Sequence, residues 1–363
     1  MIEVAPSIVK NMKSTIEKHT LKGMSFSNLQ NWCVDQGESR FRGIQLFEWM
    51  YQHGINDPRE MSNIRKSFRD YLITNCLFET LSIEQILSSA LEPTQKFLFK
   101  TLDGLFIEAV SIIDGVRHTV CLSTQIGCNL KCDFCATGQM GFSRNLSSGE
   151  IVDQLIHVRK QTHQPITNIV FMGMGEPFLN YDNVMDAADI FHNQRGFDLA
   201  SSRITISTAG ILPKIEQFIH EKRKFKLAIS LNAPDDVTRS KIMPVNNKWS
   251  IQELIHAGRA YSKMPRREVM FEYVLLKGFN DSEDDAMQLA RLLKGIECKI
   301  NIIPYNASGG IYKRPDEQTV NEFAKVLSGK RDTYRVLVRR SKGEDIEAAC
   351  GQLATKSQEN AHA

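Results

Sequence analysis

The chain has 363 residues, 42 % of them hydrophobic and 24 % charged, with a formal net charge of +3. That length allows one large domain plus accessory pieces, and so small a charge excess selects no class of partner by itself. No apolar run approaches the length of a membrane span. The N-terminal "MIEVAPSIVKNMKS" lacks the apolar core of a secretory signal. Eight cysteines in a chain this long do not make a disulfide-stapled secreted scaffold and suit a reducing cytosol, so a cytoplasmic protein with no membrane partner is expected.

Residues 1 to about 90 read as helical. "FRGIQLFEWMYQHG" places Ile44, Phe47, Met50 and Tyr51 on one helical face, and Gly54 ends it. Near residue 94 the pattern changes. "TQKFLFKTLDGLFIEAVSII" alternates like a hairpin with its turn at Asp103-Gly104. From about Arg117 to Asn306, strand and helix patterns alternate. The strands are "RHTVCLSTQIG", "TNIVFMG", "RITIST", "FKLAISL", "EVMFEYVLL" and "CKINIIPYN". Six strands separated by helices imply a parallel sheet curved into a partial (β/α)6 barrel, an α/β fold with chemistry at the C-terminal strand ends. Glu176, Ser207, Ser230, Asn232 and Asn306 gather at those ends. A loop, a helix and the strand "YRVLVRR" follow, and the tail "ATKSQENAHA" reads as frayed. The expected division is a helical accessory part at 1–93, a hairpin and barrel at 94–306, and a C-terminal extension at 307–363.

"IGCNLKCDFCATGQMGF" follows the first barrel strand and spaces Cys128, Cys132 and Cys135 as C-x3-C-x2-C. Three thiolates can hold three corners of a 4Fe–4S cubane and leave the fourth iron open to a small molecule bearing an amine and a carboxylate. The competing reading is a structural zinc with a fourth ligand from elsewhere in the chain, although no second knuckle follows. One unit later, "MGMGEP" offers Gly173 and Gly175 for close backbone approach and Glu176 as a carboxylate for an ammonium group. Cys33, Cys76 and Cys298 sit in apolar contexts and read as small buried hydrophobes. Cys350 differs: Arg339, Arg340 and Lys342 lie near it in sequence and favour a thiolate.

The cysteine spacing after the first strand of such a barrel resembles the radical S-adenosylmethionine (SAM) superfamily. "GFSRNLSSGEI", "MGMGEPFLNYDNV", "ISTAGILP", "AISLNAP", "KINIIPYN" and "DIEAACGQL" together resemble the RlmN/Cfr family of RNA adenine methyltransferases. "FRGIQLFEWMYQHG" resembles the accessory domain of the RlmN branch. The resemblance implies a 4Fe–4S cluster on Cys128, Cys132 and Cys135. It implies SAM binding by Gly175, Glu176, Ser207, Ser230, Leu231, Asn232 and Asn306. Cys350 then takes a methyl group from one SAM, Cys121 resolves a protein–RNA thioether by forming a disulfide with it, and Glu108 is a proton acceptor.

The chemistry explains the apparatus. Carbon 2 or carbon 8 of adenine is electron-poor and has no lone pair, so a methyl group must arrive through a carbon radical next to sulfur. The implied substrates are 23S rRNA, at an adenosine of the peptidyl transferase region, and tRNA, at the adenosine 3′ of the anticodon. The implied electron donor is a flavodoxin or ferredoxin. Two alternatives remain at this point: the same chemistry at carbon 8, as in the Cfr branch, and a zinc-containing RNA-binding protein. The basic stretches "EKRKFK", "KMPRRE", "YKRP" and "VRRSKG" are candidate phosphate contacts, with Tyr305 and Tyr312 as candidate stacking platforms.

Overall fold

A computed structural model describes residues 18–308, 310–329 and 334–355 of the chain. The helical expectation for the first residues and the frayed tail beyond Thr355 lie outside them. The N-terminal part is helical, as its periodicity predicts. Its helices are α1 (Phe26–Asp35), α2 (Arg40–Phe47) and α3 (Lys66–Asn75). Ser25 caps α1 by accepting from the Asn28 N–H. A π-helical turn at Glu48–Gln52 prolongs α2 until Gly54 turns the chain at φ +71°. Leu29, Leu46, Phe47, Met50, Tyr51 and Leu72 form the core of this part, all with no exposed surface. Two short strands, β1 (His19–Thr20) and β2 (Cys76–Leu77), close it.

Strands begin earlier than the sequence pattern suggests. β3 (Leu81–Ser88) falls within the stretch read as helical, and it pairs antiparallel with β4 (Thr94–Thr101). Its "LSIEQILS" carries apolar residues at both two- and three-residue spacings, so pairing with β4 rather than periodicity decides its state. β5 (Phe106–Asp114) and β6 (Arg117–Cys121) continue the antiparallel run.

From β6 the sheet turns parallel through β9 (Asn168–Phe171), β10 (Ile204–Thr208), β11 (Lys226–Ser230), β12 (Val269–Leu275), β13 (Cys298–Pro304) and β14 (Arg335–Val338). The expected six barrel strands are present, and the strand placed in the C-terminal extension joins them as a seventh. Between β6 and β9 lie the small hairpin β7 (Gln125–Gly127) and β8 (Phe142–Asn145), with the short helix α4 (Ala136–Gln139) between its strands.

Helices α5 (Ser148–Gln161), α6 (Tyr181–His192), α7 (Leu212–His220), α8 (Asp236–Ile242), α9 (Ile251–Ser262), α10 (Glu283–Leu293) and α11 (Glu317–Gly329) make the crossovers. Ser147 and Glu150 form a capping box at α5, and Pro213 occupies the first turn of α7. No helix among the described residues is long and apolar enough to cross a membrane.

The strands alternate with period two. Ile204 and Ile206, Leu227 and Ile229, Phe271 and Tyr273, and Ile300 and Ile302 have no exposed surface and face the helices. Thr205, Lys226, Met270, Lys299 and Asn301 face the lumen, where they line a cavity. The helical N-terminal part is locked to the barrel through α5. Lys22 Nζ lies 3.4 Å from Asp153 Oδ1, whose other oxygen accepts from Thr80 N at 2.6 Å. Arg159 donates to Tyr51 O at 2.9 Å and stacks over Phe197.

Candidate active site

The loop after β6 brings the three cysteines to the C-terminal mouth of the barrel. Gly127, at φ +72°, starts it, because a side chain there would strike the Gly141 carbonyl at 1.9 Å. Within the loop Cys135 N donates to Cys132 O at 3.1 Å and Gly138 N to Cys135 O at 3.0 Å. Cys128, Cys132 and Cys135 all line one cavity of 170 Å³. Burial pushes the Cys128 thiol up to about 12, and it raises Cys132 and Cys135 as well, so iron binding there would have to displace protons. Among the described residues no three His, Cys, Asp or Glu side chains converge as a single metal ion requires.

The opposite wall of that cavity carries most of the expected SAM-binding residues: Gly175, Glu176, Ser207, Ser230, Asn232 and Asn306. Gly175 sits at φ +95°, and a Cβ there would lie 2.4 Å from Gln125 Cβ. Gln125 Oε1 accepts from Glu176 N at 2.8 Å, which fixes the turn that aims the carboxylate. Glu176 accepts from Ala209 N at 2.7 Å and Phe178 N at 2.9 Å. Burial nevertheless pushes it up to about 7. A buried carboxylate held by backbone donors but lacking a cation suits the ammonium group of an amino acid.

Asn232 adopts φ +57°, a left-handed turn that asparagine tolerates, and accepts from Val274 N at 2.9 Å. Two buried oxygens, Asn306 Oδ1 and Glu272 Oε1, have no hydrogen-bond partner among the described residues, and both residues line this cavity. Such acceptors are costly unless a ligand supplies donors, so the site fits a polar molecule of SAM's kind. Leu231 is different: its side chain lies wholly in the core and does not line the cavity, leaving only its backbone to contribute.

Cys350 lines this cavity and also a second one of 530 Å³ in the lumen, which Cys121 shares. The cysteine loop and the C-terminal segment are stitched together. Ala136 N donates to Gly351 O at 2.8 Å, Thr137 Oγ1 to Leu353 O at 2.6 Å, and Asn306 Nδ2 to Cys350 O at 3.1 Å. The three cations expected near Cys350 all line the larger cavity, and Arg339 is the one that interacts electrostatically with both Cys350 and Cys121, which raises its pKa. Arg340 pairs with Glu317 and Lys342 with Asp114. Burial pushes Cys121 up to about 12. All eight cysteines are free thiols, with Cys33, Cys76 and Cys298 buried.

Glu108 lies outside both cavities. It pairs with Lys96 at 3.1 Å and accepts from Ala354 N at 3.1 Å, so it holds the C-terminal segment in place. Burial raises its pKa against the pull of Lys96. Tyr305 is buried on the wall of the smaller cavity, and Tyr312 donates to Asp133 Oδ2 at 2.8 Å. Tyr312 thus braces the cysteine loop, while the hydroxyl of the buried Tyr305 meets Ser308 Oγ at 2.8 Å.

Two residues escaped the sequence reading. Glu272, on β12, accepts from Ser207 Oγ at 3.0 Å on the wall of the smaller cavity. Arg239, fully buried, donates to the carbonyls of Leu231, Ala209 and Ser230. The alternation in "VMFEYVL" marks Glu272 as lumen-facing. Nothing local marks Arg239.

Comparison with known proteins agrees with this geometry. Residues 122–290 match the model of the Radical SAM superfamily, and residues 19–77 match that of the ribosomal RNA large subunit methyltransferase N-terminal domain. The dual-specificity RNA methyltransferase RlmN of Desulfotalea psychrophila is 43 % identical over 350 residues, covering 93 % of this chain and 96 % of that protein. The protein of the same name from Geobacter sulfurreducens is 41 % identical over 337 residues, covering 93 % and 92 %. The crystal structure of a radical SAM methyltransferase from Sphaerobacter thermophilus superposes with a TM-score of 0.87 at 40 % identity, covering 92 % of this chain and 99 % of that one. The cysteine loop, the polar wall opposite it and the matched N-terminal domain all lie within that similarity, and the chain belongs to the RlmN family of radical SAM methyltransferases.

Proposed function

We propose that the chain methylates carbon 2 of adenosine in 23S rRNA and in tRNA, using two SAM molecules per turnover and Cys350 as the methyl carrier. The observation that carries this reading is the position of Cys350, on the wall of the cysteine-lined cavity and of the lumen that holds Cys121. Cys128, Cys132 and Cys135 would hold a 4Fe–4S cluster, which with SAM supplies a 5′-deoxyadenosyl radical. Glu176 binds the ammonium group of SAM, while Ser207, Ser230, Asn232 and Asn306, with the Leu231 backbone, orient the rest.

The Cys350 sulfur attacks the methyl carbon of a first SAM and releases the demethylated product. With the 5′-deoxyadenosyl radical as acceptor of one hydrogen atom, that methyl would become a carbon radical held by the same sulfur; it would bond to carbon 2 of the adenine, and the adduct would give up one electron, returned to the cluster, and the ring proton. Release of the product breaks the bond between the Cys350 sulfur and the methylene carbon. Cys121 attacks that sulfur, forming a Cys121–Cys350 disulfide, while the carbon leaves with the electron pair and takes up the proton that the Cys121 thiol gives up. Glu108, the proton acceptor that the resemblance implies, lies outside both cavities beside Lys96 and Ala354, so the ring proton would reach it through a relay rather than directly. Residues 1–93 contact RNA, 94–306 hold the barrel and 307–363 carry Cys350. The work takes place in the cytoplasm, with electrons from a flavodoxin or ferredoxin.

The test is anaerobic turnover of the iron- and sulfide-reconstituted chain with SAM and either RNA, followed by nucleoside mass spectrometry. The expected product is 2-methyladenosine. Only 8-methyladenosine, or no methylated adenosine, would overturn the reading.

A further inference from the structure

The parallel strands carry a pattern that this chemistry does not use. At their N-terminal ends the lumen is lined by cations: Arg117 opens β6, Lys226 opens β11 and Lys299 is second on β13. Arg203, one residue before β10, lies close enough to act electrostatically on Arg117 and Lys226. In an ordinary eight-stranded barrel this interior is packed with branched apolar side chains, and the N-terminal face serves stability. Here the lumen holds the 530 Å³ cavity, which runs from the cations past Asn168, Thr205 and Asn301 to Cys121 and Cys350.

The charges are not balanced locally. Lys299 pairs with Glu268 at 2.7 Å. Arg117 donates Nε to Thr119 Oγ1 at 3.2 Å. Among the described residues, Arg117, Arg203 and Lys226 have no ion pair; of the carboxylates at this end, Asp114 and Glu268 are engaged by Lys342, Lys299 and Arg335, and Glu297, just before β13, acts on Arg335. Burial lowers the pKa of Arg117 and of Lys226, and neighbouring cations push both the same way: Arg339 and Arg203 on Arg117, against Asp114, and Lys299, Arg117 and Arg203 on Lys226, against Glu268. Like charges gathered at a rim repel one another and create a field that attracts a polyanion. Arg117 and Arg203 are exposed, so this field reaches the surface.

We propose that RNA docks on the end of the barrel opposite the cysteine loop, where Arg117, Arg203 and Lys226 hold the phosphates flanking the target adenosine as its base enters the lumen. The proposal rests on the RNA methyltransferase reading above. A cavity of 530 Å³ lies within the range of about 300–1,000 Å³ that encloses compact ligands, and a base drawn out of its stack is such a ligand. SAM occupies the smaller cavity, so the two substrates meet at Cys350 from opposite ends of the barrel.

The experiment compares the reconstituted full chain with the double variant Arg117→Glu/Lys226→Glu and with Lys313→Glu, an exposed cation on the cysteine-loop side. A fluorescently labelled tRNA transcript and a 23S rRNA fragment are titrated at several salt concentrations. Each lost phosphate contact removes about 0.7–0.9 from the slope of log affinity against log salt. The double variant is therefore expected to bind about tenfold or more weakly, with a slope shallower by about 1.5. Lys313→Glu is expected to bind like the parent. Methylation of Cys350 by SAM without RNA, read by intact mass, is expected to match the parent in all variants, which separates a lost RNA contact from a damaged fold. The milder Arg117→Gln/Lys226→Gln serves if the charge reversal does not load methyl. Parent affinity and slope in the double variant would overturn the proposal, as would a loss confined to Lys313→Glu. A parent chain that neither binds nor methylates either RNA would instead remove the methyltransferase reading, and this proposal with it.

Discussion

Replacing Arg239 with methionine should uncouple SAM binding from an otherwise intact barrel. The guanidinium has no exposed surface and makes four hydrogen bonds. It donates to Leu231 O at 2.9 Å, Ser230 O at 2.9 Å, Ala209 O at 2.6 Å and Asn246 Oδ1 at 3.0 Å. Burial lowers its pKa to about 10, yet it stays charged at neutral pH. Methionine fills much of the volume but leaves those acceptors without donors. Each orphaned buried acceptor costs about 1–3 kcal/mol. Relaxation and relief of the buried charge offset part of that sum, leaving an expected loss of about 3–5 kcal/mol, as for other broken buried polar networks. The three carbonyls lie at the end of β11 and in the turns after β10 and β11, next to Ser207, Ser230 and Asn232. SAM affinity should therefore fall about tenfold or more, or about 1.4 kcal/mol at least. Urea unfolding measures the first quantity, and anaerobic calorimetry with SAM on the cluster-loaded chain measures the second. A stability loss below about 1 kcal/mol with unchanged SAM affinity would refute the reasoning.

Four further outcomes follow from the site. Cys128→Ala, Cys132→Ala and Cys135→Ala should each abolish cluster assembly and SAM cleavage while the fold survives, because the loop lies above the barrel core; parent-rate SAM cleavage by any of them after reconstitution would contradict the assignment. Cys350→Ala should give neither methyl-protein nor methyl-RNA. Cys121→Ala should load methyl on Cys350 and stall as a covalent RNA adduct, seen as a nuclease-sensitive shifted band on a denaturing gel; free methylated RNA without adduct would rule out the resolving role. Glu176 titrates in the folded chain at about 7, above the ordinary carboxylate value, so it binds its proton more tightly folded than unfolded. Its contribution to stability is present below about pH 4.5 and is lost as pH rises through about 7, at most about 3 kcal/mol for the SAM-free chain. Melting temperatures of parent and Glu176→Gln across that window should converge differently, the variant being flatter; identical profiles would remove Glu176 as the cause.

The sequence alone determined what depends on local spacing. C-x3-C-x2-C confines three thiols to one loop whatever surrounds it, and the turn residues of "MGMGEP" specify where the carboxylate of Glu176 must point. Strand and helix periodicities in residues 117–306 were enough to order the barrel, because each element buries one continuous face. Tertiary structure decided the rest, for a physical reason common to all of it: these features arise between segments distant in the chain. β3 is a strand because β4 pairs with it. The seventh parallel strand exists because β13 offers an edge to β14. Glu108, on a strand that reads as an ordinary alternating hairpin, becomes the anchor of the C-terminal segment only when Ala354 reaches it. Arg239 looks like any helix cation until three carbonyls from two other loops converge on it. The polar face of each strand was visible as alternation in "RITIST", "KLAIS" and "KINII", but only closure of the sheet turned those faces into one lumen and gathered its cations at one end.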